Sequence, residues 1–246
     1  MILRRIIIKI NYLNLLREAI KVKIEISYLP PKKIITVPRE EATYPFEING
    51  DFQYIVEFSV DIYCDYTATY EEFICNWMDS SDYYPIYSLA EIYDFQQAEY
   101  EELFKMQNIE FNYMKGSRKD TFFVKAFIRS PQQFKEYYPY LYGNGGMMNL
   151  SLWSLKQDVF KLEERECESP YPIKKTKNNR TRLVKLKWIA NTPIVALAES
   201  STVFWVGYDG DFITAFSNSE HFSTIDSLQK IIPEKVELVT GDYELE

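Results

Sequence analysis

The chain predicts an α+β fold, a mostly antiparallel sheet with hairpins and several packed helices. Three observations carry that expectation. Apolar and polar residues alternate strictly at 21–28, and the longest alternation in the chain runs over 52–64, the period of half-buried strands. Apolar residues recur at helical spacing after Thr69 and again over 88–107. Asp209-Gly210 stands between two apolar runs, the signature of a hairpin whose turn needs positive φ at both central residues. Strands that arrive in hairpins rather than in regular βαβ alternation disfavour a doubly wound parallel sheet.

The elements follow in order. The basic pair Arg4-Arg5 ahead of an apolar run outlines a signal peptide, but Lys9, Asn11, Asn14 and Arg17 interrupt it and no small-residue cleavage site follows, so a buried first strand is expected. In KVKIEISY, Val22, Ile24, Ile26 and Tyr28 share one side. Pro30-Pro31 stops that strand, and Ile34 to Val37 resume a short extended piece. After the turn at Asn49-Gly50, Phe52, Tyr54, Val56, Phe58, Val60 and Ile62 line one face of the longest alternation in the chain.

From Thr67 the period changes. Thr69 with Glu72 has capping-box spacing, and Tyr70, Phe73, Ile74 and Trp77 follow at helical intervals. Met78–Tyr87 reads as a loop, and a second helix is expected from Ser88 to Gln107, with Glu91, Asp94, Glu99, Glu101 and Glu102 outside its apolar stripe. TFFVKAFI at 121–128 reads as a strand, and a short helix begins at Pro131, a residue favoured in a first turn. Leu183 to Trp188 alternate as a strand, Val203–Tyr208 and Phe212–Phe216 flank the hairpin, and a last helix runs from Ser223 to Ile232 under a Ser223 or Thr224 cap.

A length of 246 residues fits one large domain or two small ones, and 46% hydrophobic with 26% charged residues is the composition of a chain with a folded core. The segment 163–182 is the one plausible linker, so the chain divides into an N-terminal α+β region over 1–162 and a C-terminal strand-hairpin-helix region over 183–246, with a single domain as the alternative. Nowhere is there the run of ~18 apolar residues that a membrane span needs. Cys64, Cys75 and Cys167 cannot all pair within one chain and are expected as reduced thiols in a cytoplasmic protein.

Chemistry-bearing motifs are sparse. His221 is the one histidine and sits in a polar loop, which removes most triads. One His and three Cys lack the short Cys-x₂₋₄-Cys pairs of zinc sites. Gly143-Asn144-Gly145-Gly146 lacks both the Lys-Ser/Thr of a phosphate loop and dinucleotide spacing, and reads as a tight turn. The basic run Lys174 to Arg182 reads as a solvated linker in a chain whose pI is near 5, so nucleic acid is not the expected partner. No metal or cofactor is expected.

The charge layout is the most informative feature. Residues 39–114 hold seventeen Asp/Glu against two Lys/Arg, a local −15 in a chain of net −8, together with nineteen of the forty aromatic residues. Segregated charge steers partners of opposite sign. Much of this block is ordinary: aromatics fill a core and acids solvate the outside. The remainder concentrates in MDSSDYYPIY, where acids and tyrosines crowd a segment with no period to bury them. The expectation is a non-enzymatic protein-binding protein, similar in character to small acidic immunity proteins. It would capture a basic protein through Glu71, Glu72, Trp77, Asp79, Asp82, Tyr83, Tyr84, Tyr87 and Asp94. The alternatives are a carboxylate-based, possibly metal-dependent hydrolase and a self-associating assembly protein in which acidic and basic blocks pair between copies.

Overall fold

The structure, a computed structural model, describes residues 22–30, 45–60, 66–118, 120–168, 172–177 and 180–240. The expected first strand, the extended piece at 34–37, the end of the 52–64 strand and Cys64 lie outside them, in whole or part. Among the described residues a nine-stranded sheet forms the centre, and its strands in sequence order are β1 (Val22–Tyr28), β3 (Tyr54–Val60), β4 (Ile86–Tyr93), β5 (Glu110–Lys115), β6 (Thr121–Ile128), β7 (Ser151–Ser154), β12 (Thr202–Val206), β13 (Phe212–Ser217) and β14 (Val236–Thr240). Their spatial order is β14-β1-β3-β13-β12-β7-β4-β6-β5. Every adjacent pair is antiparallel except β1–β14, so the sheet is mixed. A three-stranded sheet, β2 (Glu47–Asn49), β11 (Lys187–Ala196) and β8 (Phe160–Glu168), also contains one parallel pair, β2–β11. A ribbon of β9 (Ile173–Lys177) and β10 (Arg180–Val184) stands apart.

Both faces of the large sheet are covered. On one lie α1 (Tyr66–Trp77), α2 (Gln97–Met106), α3 (Pro131–Gly146) and α4 (Ile225–Gln229), which pack Tyr70, Phe73, Trp77, Tyr100, Phe104, Phe134, Tyr137, Tyr138 and Leu228 against Ile24, Val56, Ala90, Val124, Trp153 and Phe204. On the other, Phe46, Val159, Phe160, Val195 and Leu197 meet Ile55, Leu89, Phe123, Leu152, Val203, Trp205 and Phe216. Neighbouring residues on one strand therefore enter different cores, as Leu89 and Ala90 do, because side chains alternate across a strand. All five residues of β12 are buried. Trp153 and Phe204 stack at 5.0 Å and 11° where the helices close over the centre.

This two-sided burial explains the largest correction. The expected helix over 88–107 is a strand to Tyr93, a 3-10 turn at Asp94–Gln96, and α2 only from Gln97. Leu89, Ile92 and Tyr93 have helix-like spacing, but a strand covered on both faces loses its period of two. Glu91, expected outside, is buried at 7% exposure and accepts from Ser117 N (2.7 Å), Ser117 Oγ (2.5 Å) and Thr121 Oγ1 (2.6 Å). The described residues of the segment read as a linker form strands. Its residues 163–168 belong to β8, whose ladder with β11 runs from Val195↔Phe160 to Lys187↔Glu168, and much of the rest forms β9 and β10. Its missing apolar period reflects a strand that runs past the core into ion pairs, Arg165 with Glu47 and Glu163, and Lys187 with Glu166. Strands from both sides of this segment share sheets.

Smaller corrections are local. Helix α1 is under way at Tyr66, so Thr69 lies within it rather than capping it. The strand expected over 183–188 is broken at Lys185 and Leu186 between β10 and β11. The last helix is shorter than expected, but Thr224 does cap it, accepting from Ser227 N. The helix at Pro131 is capped by Ser130 and extends for sixteen residues through Pro139. Gly143 to Gly146 form its last turn rather than a tight turn after it. Gly145 lets that turn press on β12: a Cβ there would come within 2.4 Å of Val206 Cγ1. Asn144, buried beside it, donates through Nδ2 to the carbonyls of Glu91 (2.9 Å) and Leu150 (3.1 Å). The Asp209-Gly210 hairpin is present, with φ of 61° and 75°, though its loop is wider than two residues.

Two measurements follow from this packing. Gly145→Ala should cost about 1–3 kcal/mol through overpacking against Val206. Gly143→Ala, which meets nothing within 4 Å, should instead gain up to about 1 kcal/mol of helix propensity. Denaturant midpoints of the two variants would separate them, and equal shifts would contradict the close approach. Burial also pushes the Tyr100 and Tyr138 phenols well above the ordinary tyrosine range, and burial followed by Glu101 pushes Tyr113 up to about 12. Folded values above the unfolded value of about 10 add stability below that pH, and it is lost as pH rises through the folded values. Tyrosinate absorbance should therefore rise in two stages, the second together with loss of circular dichroism; one smooth stage with intact dichroism would refute it.

Candidate functional site

Helix α1 has two faces. Tyr70, Phe73, Ile74 and Trp77 point into the core, and the other side repeats every four residues as Glu71, Cys75 and Asp79, with Glu72 and Asn76 beside them. Pro131 and Lys135, from the first turns of α3, form the facing wall of a groove of about 500 Å³. The groove thus holds three carboxylates against one ammonium. Glu72 and Asp79 are exposed and Glu71 is half-buried. The Cys75 thiol is pushed up to about 12, by burial first and then by Glu71 and Asp79, with Lys135 opposing.

Beyond α1 the chain turns tightly. Asp82 N–H donates to Ser80 Oγ at 3.4 Å, a 3-10 turn spans Ser81–Tyr83, and the Tyr84-Pro85 peptide is cis before β4 begins. The predicted loop therefore stops at Pro85. Tyr83 and Tyr84 are half-buried against the helix-side core, and Tyr84 donates its hydroxyl to the Met78 carbonyl at 2.7 Å. Burial raises both phenols.

The nine residues picked out by the sequence are accordingly divided. Glu71, Glu72 and Asp79 converge on the groove, and Asp82, Tyr83 and Tyr84 continue along the chain from it. Trp77 is in the core at 3% exposure, in contact with Phe58, Phe73 and Phe204. Tyr87 packs into the opposite core, tilted against Phe127 at 5.2 Å. Asp94 is exposed at the other end of β4, about 26 Å from Ile86 at roughly 3.3 Å per residue. Cys75, read from the sequence as a reduced thiol, and Asn76 were not placed in the site by the sequence, although a spacing of four from Glu71 and Glu72 marks them. Lys135 had no such signal, since only packing of α3 on α1 brings it there.

Tyr87 instead lines a second pocket, of about 580 Å³, with Lys125, Phe127, Asp158 and Phe160. Lys125 Nζ donates to the Phe160 carbonyl at 2.8 Å, and burial lowers its pKa against the pull of Asp158. With that carbonyl satisfied, the amine serves to close the seam between the sheets. Among the described residues no group of three or more His, Cys, Asp and Glu is placed to hold a metal ion, and no helix is long and apolar enough to cross a membrane. His221 is exposed beside Glu220 in a 3-10 turn.

No protein-family model, curated protein or solved structure matches the chain. The α1–α3 groove therefore has to be read from its own chemistry. Its carboxylates can accept salt bridges and hydrogen bonds from lysine or arginine side chains, and its thiol is poorly suited to nucleophilic work because the thiolate is the reactive form. Peptide mapping after alkylation at pH 8 should find Cys75 essentially unmodified, with a thiolate fraction on the order of one in ten thousand. Modification should rise with pH up to about 12; rapid alkylation at neutral pH would contradict this burial.

Proposed function

We propose that the protein is a non-enzymatic binding protein that captures a basic protein partner on the acidic rim of the α1–α3 groove. The observation that carries this reading is the convergence of Glu71, Glu72 and Asp79 opposite the single cation Lys135, on a helix whose other face is committed to the core. An arginine or lysine of the partner would enter among the three carboxylates, while Asp82 extends the negative edge. Exposed ion pairs are each worth at most about 1 kcal/mol. The acids therefore serve encounter and orientation, and the half-buried Tyr83 and Tyr84 supply contact area. Inhibition of a basic enzyme, in the manner of immunity proteins, is the form of capture that this character fits.

The test pairs capture with kinetics. The protein and its Glu72→Lys/Asp79→Lys variant, both changed only at exposed positions, are used as bait in lysate of the source cell. A basic protein retained by the first and lost by the second supports the reading, and its association rate should fall about tenfold or more between roughly 50 and 500 mM salt with dissociation little changed. Equal retention by both baits, or an association rate indifferent to salt, overturns it.

A further inference from the structure

The basic run that looks like linker in the sequence is a built surface. From residue 169 to 198 the chain contains seven Lys/Arg and no Asp/Glu. Its first part folds as the β9–β10 ribbon, which pairs with neither sheet, and its second part opens β11. The register sets Arg182 opposite Lys175. Like charges in directly opposed positions destabilise a strand pair, and an isolated two-stranded ribbon is marginal to begin with. Lys174, Lys175, Arg182 and Lys185 are exposed. Large apolar groups are exposed among them: Leu183 at 65%, Ile189 at 63% and Trp188 at 43%.

We propose that this ribbon and the adjoining start of β11 form a docking surface for the phosphate backbone of nucleic acid, bound without regard to sequence. A polyanion removes the repulsion that the register builds in. A two-stranded ribbon has the width to follow a groove, and the exposed Trp188 ring next to the cations offers a face on which a base can stack. Lysines on an edge strand also serve to prevent edge-to-edge association, but that role is incompatible with leaving Leu183, Trp188 and Ile189 exposed beside them. The net charge of −8 does not oppose the proposal. The acids of α1 lie on the helix-covered face of the large sheet, whereas the ribbon follows β8 of the sheet on the opposite face; beside the start of β11 stand Glu164 and Glu166 of β8, and Glu166 pairs with Lys187, so Lys174, Lys175 and Arg182 of the ribbon supply the anion-binding charge. The surface is independent of the groove and of the function proposed for it.

The experiment is fluorescence anisotropy with labelled single-stranded and duplex oligonucleotides of about twenty nucleotides, titrated with the full chain over a range of salt. Binding should weaken linearly on a logarithmic salt scale. Arg182→Glu should cut affinity about tenfold or more while leaving the thermal midpoint equal or higher, because it turns the like-charged pair with Lys175 into an opposite one. Trp188→Ala should weaken single-strand binding roughly fivefold or more. Glu72→Lys/Asp79→Lys should leave oligonucleotide binding in place, which separates this surface from the groove. No binding to either oligonucleotide at low salt overturns the proposal, as does binding unchanged in Arg182→Glu. Preference for anionic vesicles, or salt-sensitive self-association of the chain in place of oligonucleotide binding, overturns it in favour of a membrane or of a second copy.

Discussion

Coverage of the large sheet on both faces is the constraint on which the rest of the molecule depends. A sheet with one solvated face tolerates a period of two; this one places apolar residues on both sides of β3, β4, β12 and β13, so each face needs its own covering layer. Helices close one face, and β2, β11 and β8 close the other. Each large side chain fully buried this way contributes about 1.5–3 kcal/mol. The same enclosure makes a buried ionised or amide group costly unless it is hydrogen-bonded. Glu91 is admitted because three donors from the β5–β6 turn and β6 converge on its carboxylate, and Asn144 because it ties the end of α3 to β4 and β7.

Surface function is built on elements anchored by those cores. Helix α1 cannot rotate without withdrawing Tyr70, whose hydroxyl donates to the Phe58 carbonyl at 3.1 Å and the Asp211 carbonyl at 2.8 Å, or Trp77 from its aromatic neighbours. Its acidic side is held outward by the same contacts. Ladder β8–β11 is anchored by Phe160, Ile194 and Val195, and its distal half carries the exposed apolar residues Trp188 and Ile189. The acidic side of α1 thus belongs to the helix layer, and the basic ribbon follows β8, whose own glutamates form ion pairs within their layer.

The comparison of sequence with structure divides by how each residue is surrounded. Strand β1 was legible because its expected boundaries nearly coincide with an uninterrupted local period, and the Asp209-Gly210 hairpin because backbone conformation at a turn is a local property. Strand β4 was misread as helix because two covered faces erase alternation, and β8 as linker because a ladder leaving the core has no apolar period. In the candidate site, Glu71, Glu72 and Asp79 were found through local charge density. Trp77 and Tyr87 were misplaced by the same reasoning, since proximity in sequence does not say which side of a sheet receives a side chain.

By itself the sequence determined what local chemistry dictates: the mixed helical and extended character, the caps and turns, the aromatic content of the core and the segregation of charge. Tertiary structure alone decided which strands are covered twice, which acids are drawn inward to donors, and that Lys135 should face the carboxylates of α1. The reason is physical. Propensity, capping and turn geometry act over a few residues, whereas burial and electrostatic neighbourhood are set by contacts between segments that lie far apart in the chain.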